Sequence, residues 1–391
     1  MTSTKTIKTL IVDDSAIVRK ILSEALAGEP DIEVVGTAPD PYVARDKILS
    51  LDPDVLTLDI EMPRMDGLTF LRKLMQYHPM PVIVISSLGQ ASCKAALDAL
   101  ESGAVEVLAK PGGPYSVGEL RLVLAQKIRA AAAARIRNRP IRPTEGQRVS
   151  PDSRREAISA PSAWDPSMVI AIGASTGGTE AIADVLVQIP EQCPPIVITQ
   201  HIPANFSRAF AERLNRICHI AVKEAADGDN LAPGLALVAP GDFHMLLRKR
   251  PGGYSVSVKD GPRVCYQRPS VDVMFRSVAE TAGSKAVGVL LTGMGSDGAA
   301  GMLQMKRAGA ATIAQDETTC VVFGMPREAI RLGAIDHVQP LGNIAGGNSV
   351  RHTCQACGGV GLAPGRPKAE KALKIWRSLP MVPIANANEA C

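Results

Sequence analysis

Aromatic side chains are scarce in this chain, with 6 Phe, 5 Tyr and 2 Trp among 391 residues. Binders of single-stranded nucleic acid stack bases on such rings, so that mode is set aside first. Long apolar runs are missing too. None approaches the ~18 residues of a membrane-spanning helix, and Leu10-Ile11-Val12 near the start is too short for a secretory signal. Charge excess is slight: 43 Lys and Arg against 39 Asp and Glu give +4, which does not by itself call for a polyanionic partner. The eight cysteines are dispersed, and only Cys354 and Cys357 form a C-x-x-C pair. One pair supplies half of a four-thiolate zinc site, and there is no second. Without an export signal the others read as small core residues rather than disulfides. The absences leave a soluble, cytoplasmic chain of two or three domains, at roughly 150 residues each.

What is present is alternation. Up to about residue 125, short apolar runs at Leu10–Val12, Val34–Val35, Val55–Leu58, Val82–Ile85 and Val105–Leu108 are each followed by a helical or turn segment. That pattern predicts a parallel sheet covered on both faces. Residues from about 130 to 165 break the rhythm with prolines, arginines and few large apolar residues, as a hydrated tether does. A second alternating region follows, with strands expected at Met168–Ile172, Ile196–Thr199, Leu235–Ala239, Val287–Leu291 and Ala311–Ala314. Helices are expected to start near Thr179, Asn205 and Gly298. Ile182, Val185, Leu186 and Ile189 recur at i, i+3, i+4, i+7, the stripe of a core-facing helix.

Asp13 and Asp14 end the first expected strand, Asp59 the third and Ser86 the fourth, and Lys110 follows the fifth. In an open parallel sheet these points share the carboxyl edge, where ligands bind. A lone strand-end Asp usually caps the next turn or helix. Three carboxylates converging there with Ser86 and Lys110 instead describe a group needing a hard divalent cation, with one carboxylate able to attack a phosphoryl group. The runs VDDS (12–15), LDIEMPRMDG (58–67), ISS (85–87) and AKPGG (109–113) make this region similar to the receiver domain of two-component response regulators. The resemblance implies that Asp59 accepts phosphate from a histidine kinase. It also implies that Asp13 or Asp14, Asp59 and the Glu61 carbonyl hold Mg²⁺, with Ser86 and Lys110 as the switch pair.

In the second region, Gly173-Ala174-Ser175-Thr176-Gly177 fits G-x-S-x-G, whose small neighbours permit a strained turn that exposes a nucleophilic hydroxyl. Alone it reads equally well as a phosphate loop or an N-cap serine. His201, at the end of Ile196–Gln200, and Asp297, in the Gly-rich turn after Val287–Leu291, supply a base and an orienting acid on the same edge. Asp297 could equally cap the helix near Gly298. His219, His244 and His337 keep the ordinary reading of hydrogen-bonded structural histidines. The order Ser175, His201, Asp297 differs from the Ser, acid, His order of α/β-hydrolases.

IGASTGG, TQHIP (199–203), APGDFHM (239–245), RPSVDVMF (268–275) and LLTGMGSDGAAGM (290–302) resemble the catalytic domain of chemotaxis protein-glutamate methylesterases. The resemblance implies hydrolysis of glutamyl methyl esters on methyl-accepting chemotaxis receptors, and deamidation of receptor glutamines by the same site. It further implies oxyanion donors at the Thr176 and Met294 amides, and a receiver that blocks the cleft until Asp59 is phosphorylated. The expected fold class is α/β with two doubly wound parallel-sheet domains, flavodoxin-like then Rossmann-like. The expected division is a receiver at 1–128, a basic linker at 129–165, a methylesterase domain at 166–345 and a tail of unknown role at 346–391. Mg²⁺ serves the receiver, and the esterase needs no cofactor. A chemotaxis histidine kinase is the phosphodonor, with no nucleic acid and no membrane insertion. The alternative, a DNA- or nucleotide-binding output, lacks a helix-turn-helix segment and the Lys of a P-loop.

Overall fold

The computed structural model describes residues 6–63, 65–110, 117–136 and 167–346. Most of the expected linker, Arg64 of LDIEMPRMDG, residues 111–113 of AKPGG, and the tail with Cys354 and Cys357 lie outside the described residues.

The first sheet is built from β1 (Ile7–Val12), β2 (Ile32–Ala38), β3 (Val55–Asp59), β4 (Val82–Ser86) and β5 (Glu106–Ala109). Helices α1 (Ala16–Leu26), α2 (Pro41–Leu51), α3 (Gly67–Tyr77), α4 (Gln90–Glu101) and α5 (Val117–Ala132) connect and follow them. All pairings are parallel, in the order β2-β1-β3-β4-β5. Side-chain alternation sorts the strands onto two apolar faces. Leu10, Val12, Leu56, Leu58, Val82 and Val84 pack into one cluster, and Ile11, Val55, Ile83 and Ile85 into another. Helix starts are fixed locally. Ser15, Asp40 and Asp66 accept hydrogen bonds from first-turn amides of α1, α2 and α3.

The second sheet has seven parallel strands. In chain order the elements are β6 (Val169–Ala174), α6 (Gly178–Leu186), β7 (Ile196–Gln200), α7 (Phe206–Ile217), β8 (Ala221–Glu224) and β9 (Leu235–Val238). A hairpin follows, β10 (His244–Arg250) and β11 (Gly253–Lys259), then α8 (Val271–Ala282), β12 (Ala286–Leu290) and α9 (Ala299–Arg307). The last elements are β13 (Ala311–Gln315), α10 (Met325–Arg331), β14 (His337–Gln339) and α11 (Leu341–Gly346). The order β14-β13-β12-β6-β7-β9-β8 reverses direction at β6. In both sheets that reversal opens a crevice at the carboxyl edge, between β1 and β3 in the first and between β6 and β12 in the second.

The α/β class with two parallel sheets agrees with the sequence reading. Differences lie where the apolar signal is thin. The fifth strand starts at Glu106 rather than Val105. Edge strands β8 and β14 are only partly buried, so they carry no continuous apolar run. The hairpin and α8 also went unread. One apolar cluster runs from α3 and α4 into α6 and α7, so the two sheets share a core across their contact. No helix among the described residues is long and apolar enough to cross a membrane.

Candidate active site

Asp13, directly after β1, and Asp59, ending β3, are buried, while neighbouring Asp14 is exposed. Oxygens of these three carboxylates lie within 4.8 Å of one another. Lys110 Nζ stands 2.7 Å from Asp59 Oδ2 and 3.6 Å from Asp13 Oδ2. Burial pushes the Asp59 carboxyl up to about 6, against the hydrogen bonds from Lys110 and the Glu61 amide. Burial raises Asp13 as well, and its Oδ2 has no hydrogen-bond partner. A crowd of hard oxygen donors with an orphaned buried oxygen fits a small divalent cation. Ser86 is fully buried and donates to the Ser92 carbonyl at 3.3 Å. Ser87 instead joins Ser92 and the Glu61 carboxylate. The Glu61 amide donates to Asp59 Oδ1 at 3.0 Å.

In the second sheet, Ser175 follows β6, His201 follows β7 and Asp297 lies in the turn between β12 and α9. These strands are adjacent in the order β12-β6-β7, so all three residues gather at the crevice. Each is buried: Ser175 4%, His201 5% and Asp297 2% exposed. His201 Nε2 meets Asp297 Oδ2 at 2.7 Å. The Asp297 carboxylate takes three further donors: Ser270 Oγ at 2.8 Å, the Val271 amide at 2.7 Å and the Asp272 amide at 3.0 Å. Burial would raise its pKa, but the His201 hydrogen bond and charge, with the Asp272 and Ser270 donors, outweigh it and hold the group below its ordinary value. Asp297 therefore serves the N-terminus of α8, and the N-cap position of α9 is Gly298, which has no side chain to offer. Asp272 reciprocates by accepting from the Gly301 amide in α9 at 2.6 Å.

With Asp297 ionised, a neutral His201 keeps its proton on Nε2 and has its lone pair on Nδ1. That nitrogen is buried and has no hydrogen-bond partner. No hydrogen bond joins His201 to Ser175 among the described residues, as is common for such pairs before substrate arrives. The Ser175 turn is held by its backbone. The Ser175 amide donates to the Thr292 carbonyl at 3.0 Å, and its own carbonyl accepts from Gln200 Nε2 at 2.8 Å. The left-handed residue of this turn is not the serine. Gly177 has φ of 74°, while Ser175 is outside the left-handed region. A side chain at Gly173 would strike Val271. Thr176 is buried, Met294 is exposed, and among the described residues neither amide donates to another backbone group. His244 is spent structurally, with Nδ1 accepting from the Ser270 amide and Nε2 facing the Pro262 carbonyl. His219 and His337 are exposed and so depart from the structural reading given them in the sequence.

Ser270 and the start of α8 are functional neighbours that the sequence did not single out. The RPSVDVMF run marked the stretch without revealing that Asp297 is its partner. Glu106 also went unnoticed, inside an apolar strand. Its Oε2 accepts from Thr176 Oγ1 at 2.8 Å, across from one sheet to the other. Receiver-side Val107, Leu108, Val123 and Lys127 line a small space together with His201, Arg263 and Arg268.

Two family models match: the response regulator receiver domain over residues 9–119 and CheB methylesterase over residues 170–347. A protein-glutamate methylesterase/protein-glutamine glutaminase of Syntrophus aciditrophicus is 57% identical over 87% of this chain and 97% of its own. One from Anaeromyxobacter dehalogenans is 54% identical over 87% of this chain and 93% of its own. A third, from Geobacter metallireducens, is 52% identical over 88% and 95%. With likeness of that extent running through both sheets, the chain belongs to the CheB methylesterase family and carries a response regulator receiver domain ahead of the catalytic one.

Proposed function

We propose that this chain is a phosphorylation-activated protein-glutamate methylesterase, and that the same site deamidates glutamines to glutamate. The observation that carries the reading is the His201–Asp297 pair beside Ser175, at the crevice where the strand order reverses. Ser175 attacks the γ-carbonyl of a glutamyl methyl ester, and His201 Nδ1 takes its proton. Asp297 stabilises the imidazolium through Nε2. The Thr176 and Met294 amides receive the oxyanion. His201 then protonates the leaving methanol, or ammonia from a glutamine. Water activated by the same nitrogen releases the carboxylate and restores Ser175. This chemistry requires no metal at the esterase.

In the receiver, Asp13, Asp14, Asp59 and the Glu61 carbonyl would hold Mg²⁺, which would shield an incoming phosphoryl group. Asp59 is the acceptor, while Lys110 and Ser86 meet the transferred oxygens. The partners are a chemotaxis histidine kinase as phosphodonor and chemoreceptors as substrate, in the cytoplasm. The proposed division is a receiver at 1–128, a linker at 129–165, a catalytic domain at 166–345 and a tail at 346–391, with the receiver's last helix, α5, running past the first boundary to Ala132. Receiver-side Val107, Leu108 and Lys127 line a small space together with His201 and Arg268, which supports a receiver that stands over the base. A serine-directed fluorophosphonate is expected to label the chain and not Ser175→Ala, and methanol release from a methylated receptor checks the substrate. Removing residues 1–130 is expected to raise basal hydrolysis; equal rates for fragment and full chain would count against the gating.

A further inference from the structure

We propose that the esterase aims its two oxyanion donors through the carbonyls of the peptides that carry them, and that Gln200 is the side chain that aims the Thr176 amide. The inference rests on the methylesterase reading and adds a positioning residue to that site. In a trans peptide the carbonyl of one residue and the amide of the next point in opposite directions within one plane. The Thr176 amide therefore faces away from whatever holds the Ser175 carbonyl, and the Met294 amide away from whatever holds the Gly293 carbonyl. Both peptides are trans, and both carbonyls are held twice. The Ser175 carbonyl accepts from the Gly178 amide at 2.7 Å and from Gln200 Nε2 at 2.8 Å. The Gly293 carbonyl accepts from the Gly324 amide at 3.0 Å and the Met325 amide at 2.8 Å. The two peptides also lie close together, since a Cβ added at Gly293 would stand 2.7 Å from Ser175 Cβ. Each plane is fixed from behind while its own N–H is left unspent by the backbone, the preorganisation that an oxyanion requires. A carbonyl with two donors also polarises its peptide and strengthens the N–H across it as a donor.

Three of those four holders are backbone amides, and Gln200 is the exception. It ends β7 directly before His201 and is 2% exposed. Its Nε2 also donates to the His201 carbonyl, at 3.3 Å, so one amide group ties the nucleophile turn to the backbone of the base. Turned over, the side chain would set its oxygen against two carbonyls, which decides the orientation. In the orientation it keeps, Oε1 is buried with no hydrogen-bond partner and lies 2.2 Å from where a Cβ on Gly178 would be. An unpaired buried acceptor is costly. Here it accompanies two donated protons, and both go to the backbone of the reacting residues.

The test uses the full chain with acetyl phosphate and Mg²⁺, and follows methanol release from a methylated receptor against substrate concentration and pH. Gln200→Met keeps the length of the side chain and loses both protons. It is expected to lower kcat about tenfold with KM unchanged, because the loss falls on the transition state. Gln200→Glu adds a pH signature and decides the matter if the methionine variant does not fold. Its neutral carboxyl can donate to the Ser175 carbonyl and its carboxylate cannot, and burial raises the pKa of such a group. Its rate relative to wild type at the same pH is expected to recover severalfold between about pH 8 and about pH 6. A side chain that merely filled space would give a ratio flat with pH. A flat ratio, or a kcat for Gln200→Met within about twofold of wild type, overturns the positioning role while leaving the hydrolase reading intact. A wild type that releases no methanol overturns the hydrolase reading and takes the positioning role with it.

Discussion

Asp59 and Asp297 occupy equivalent places. Each is a buried aspartate at the carboxyl edge of a parallel sheet, beside the point where strand order reverses. Their surroundings push them in opposite directions. Asp59 shares its pocket with Asp13 and receives one lysine and one amide, so burial wins and its carboxyl rises to about 6. Asp297 has a histidine, a hydroxyl and two amides of α8 to itself, so the donors win and it falls. The first arrangement suits a group that must take on a cation and a phosphoryl group. The second suits a group that stays ionised while an imidazole beside it gains a proton. Fold position offers a carboxylate; the number of donors around it sets its use.

The comparison is broken most forcefully at Asp297. Asp297→Asn is expected to lower kcat on the order of 10⁴-fold, because the amide cannot serve the imidazolium as a carboxylate does. Steady-state methanol release within tenfold of wild type would show that the ionised state there is immaterial. Asp59→Asn is expected to leave basal hydrolysis unchanged while removing Mg²⁺-dependent labelling by a small phosphodonor. Label at the wild-type level in that variant would remove Asp59 as acceptor.

A smaller effect concerns stability, and the two sites give opposite signs. A carboxyl raised in the folded state loses its proton first when unfolded, so ionisation of Asp59 costs stability as pH climbs from about 4 to about 6. The cost is about 3 kcal/mol at neutral pH. Asp297 is lowered, so its contribution is present above the ordinary carboxyl value of 3.8 and is lost as pH falls through the folded pKa. In chelator-treated protein, the gain in Tm from Asp59→Asn should shrink between pH 7 and 4. The loss from Asp297→Asn should persist over that window and shrink only below it. Parallel trends would show that the two pockets do not differ as described. The mildest change is Ser270→Ala, which removes one of four donors. About a tenfold fall in kcat is expected with KM unchanged, and recovery in Ser270→Thr separates the hydroxyl from packing.

Much of this architecture was legible because parallel strands buried on both faces announce themselves as apolar runs, and their ends place polar residues on one edge. Ser175, His201 and Asp297 could be named together on that ground, and the latter two meet at 2.7 Å. What stayed hidden is set by tertiary contact. Asp297 sits before α9 and reads locally as its cap, yet it bonds α8, whose first turn comes from a separate stretch of chain. The imidazole orientation, with Nε2 and not Nδ1 toward the acid, leaves no trace in sequence. Glu106 lies in AVEVLA, where the apolar neighbours mark a strand and the charge reads as incidental. Its meaning depends on Thr176, seventy residues away.

Gly301 shows how narrowly the arrangement is fitted. Its amide holds the Asp272 carboxylate, while the Asp272 amide itself holds Asp297, and α8 passes so close that a methyl here would lie 2.7 Å from Phe275 Cβ and 3.0 Å from the Asp272 carbonyl. The hydrogen of this glycine acts as a spacer between two helices, and helix spacing is in turn the alignment of the acid with the imidazole. Gly301→Ala would force α8 outward by tenths of an ångström and turn the carboxylate with it. Tuning of the rate is therefore available far from any reacting atom, at a position that presents no chemistry of its own.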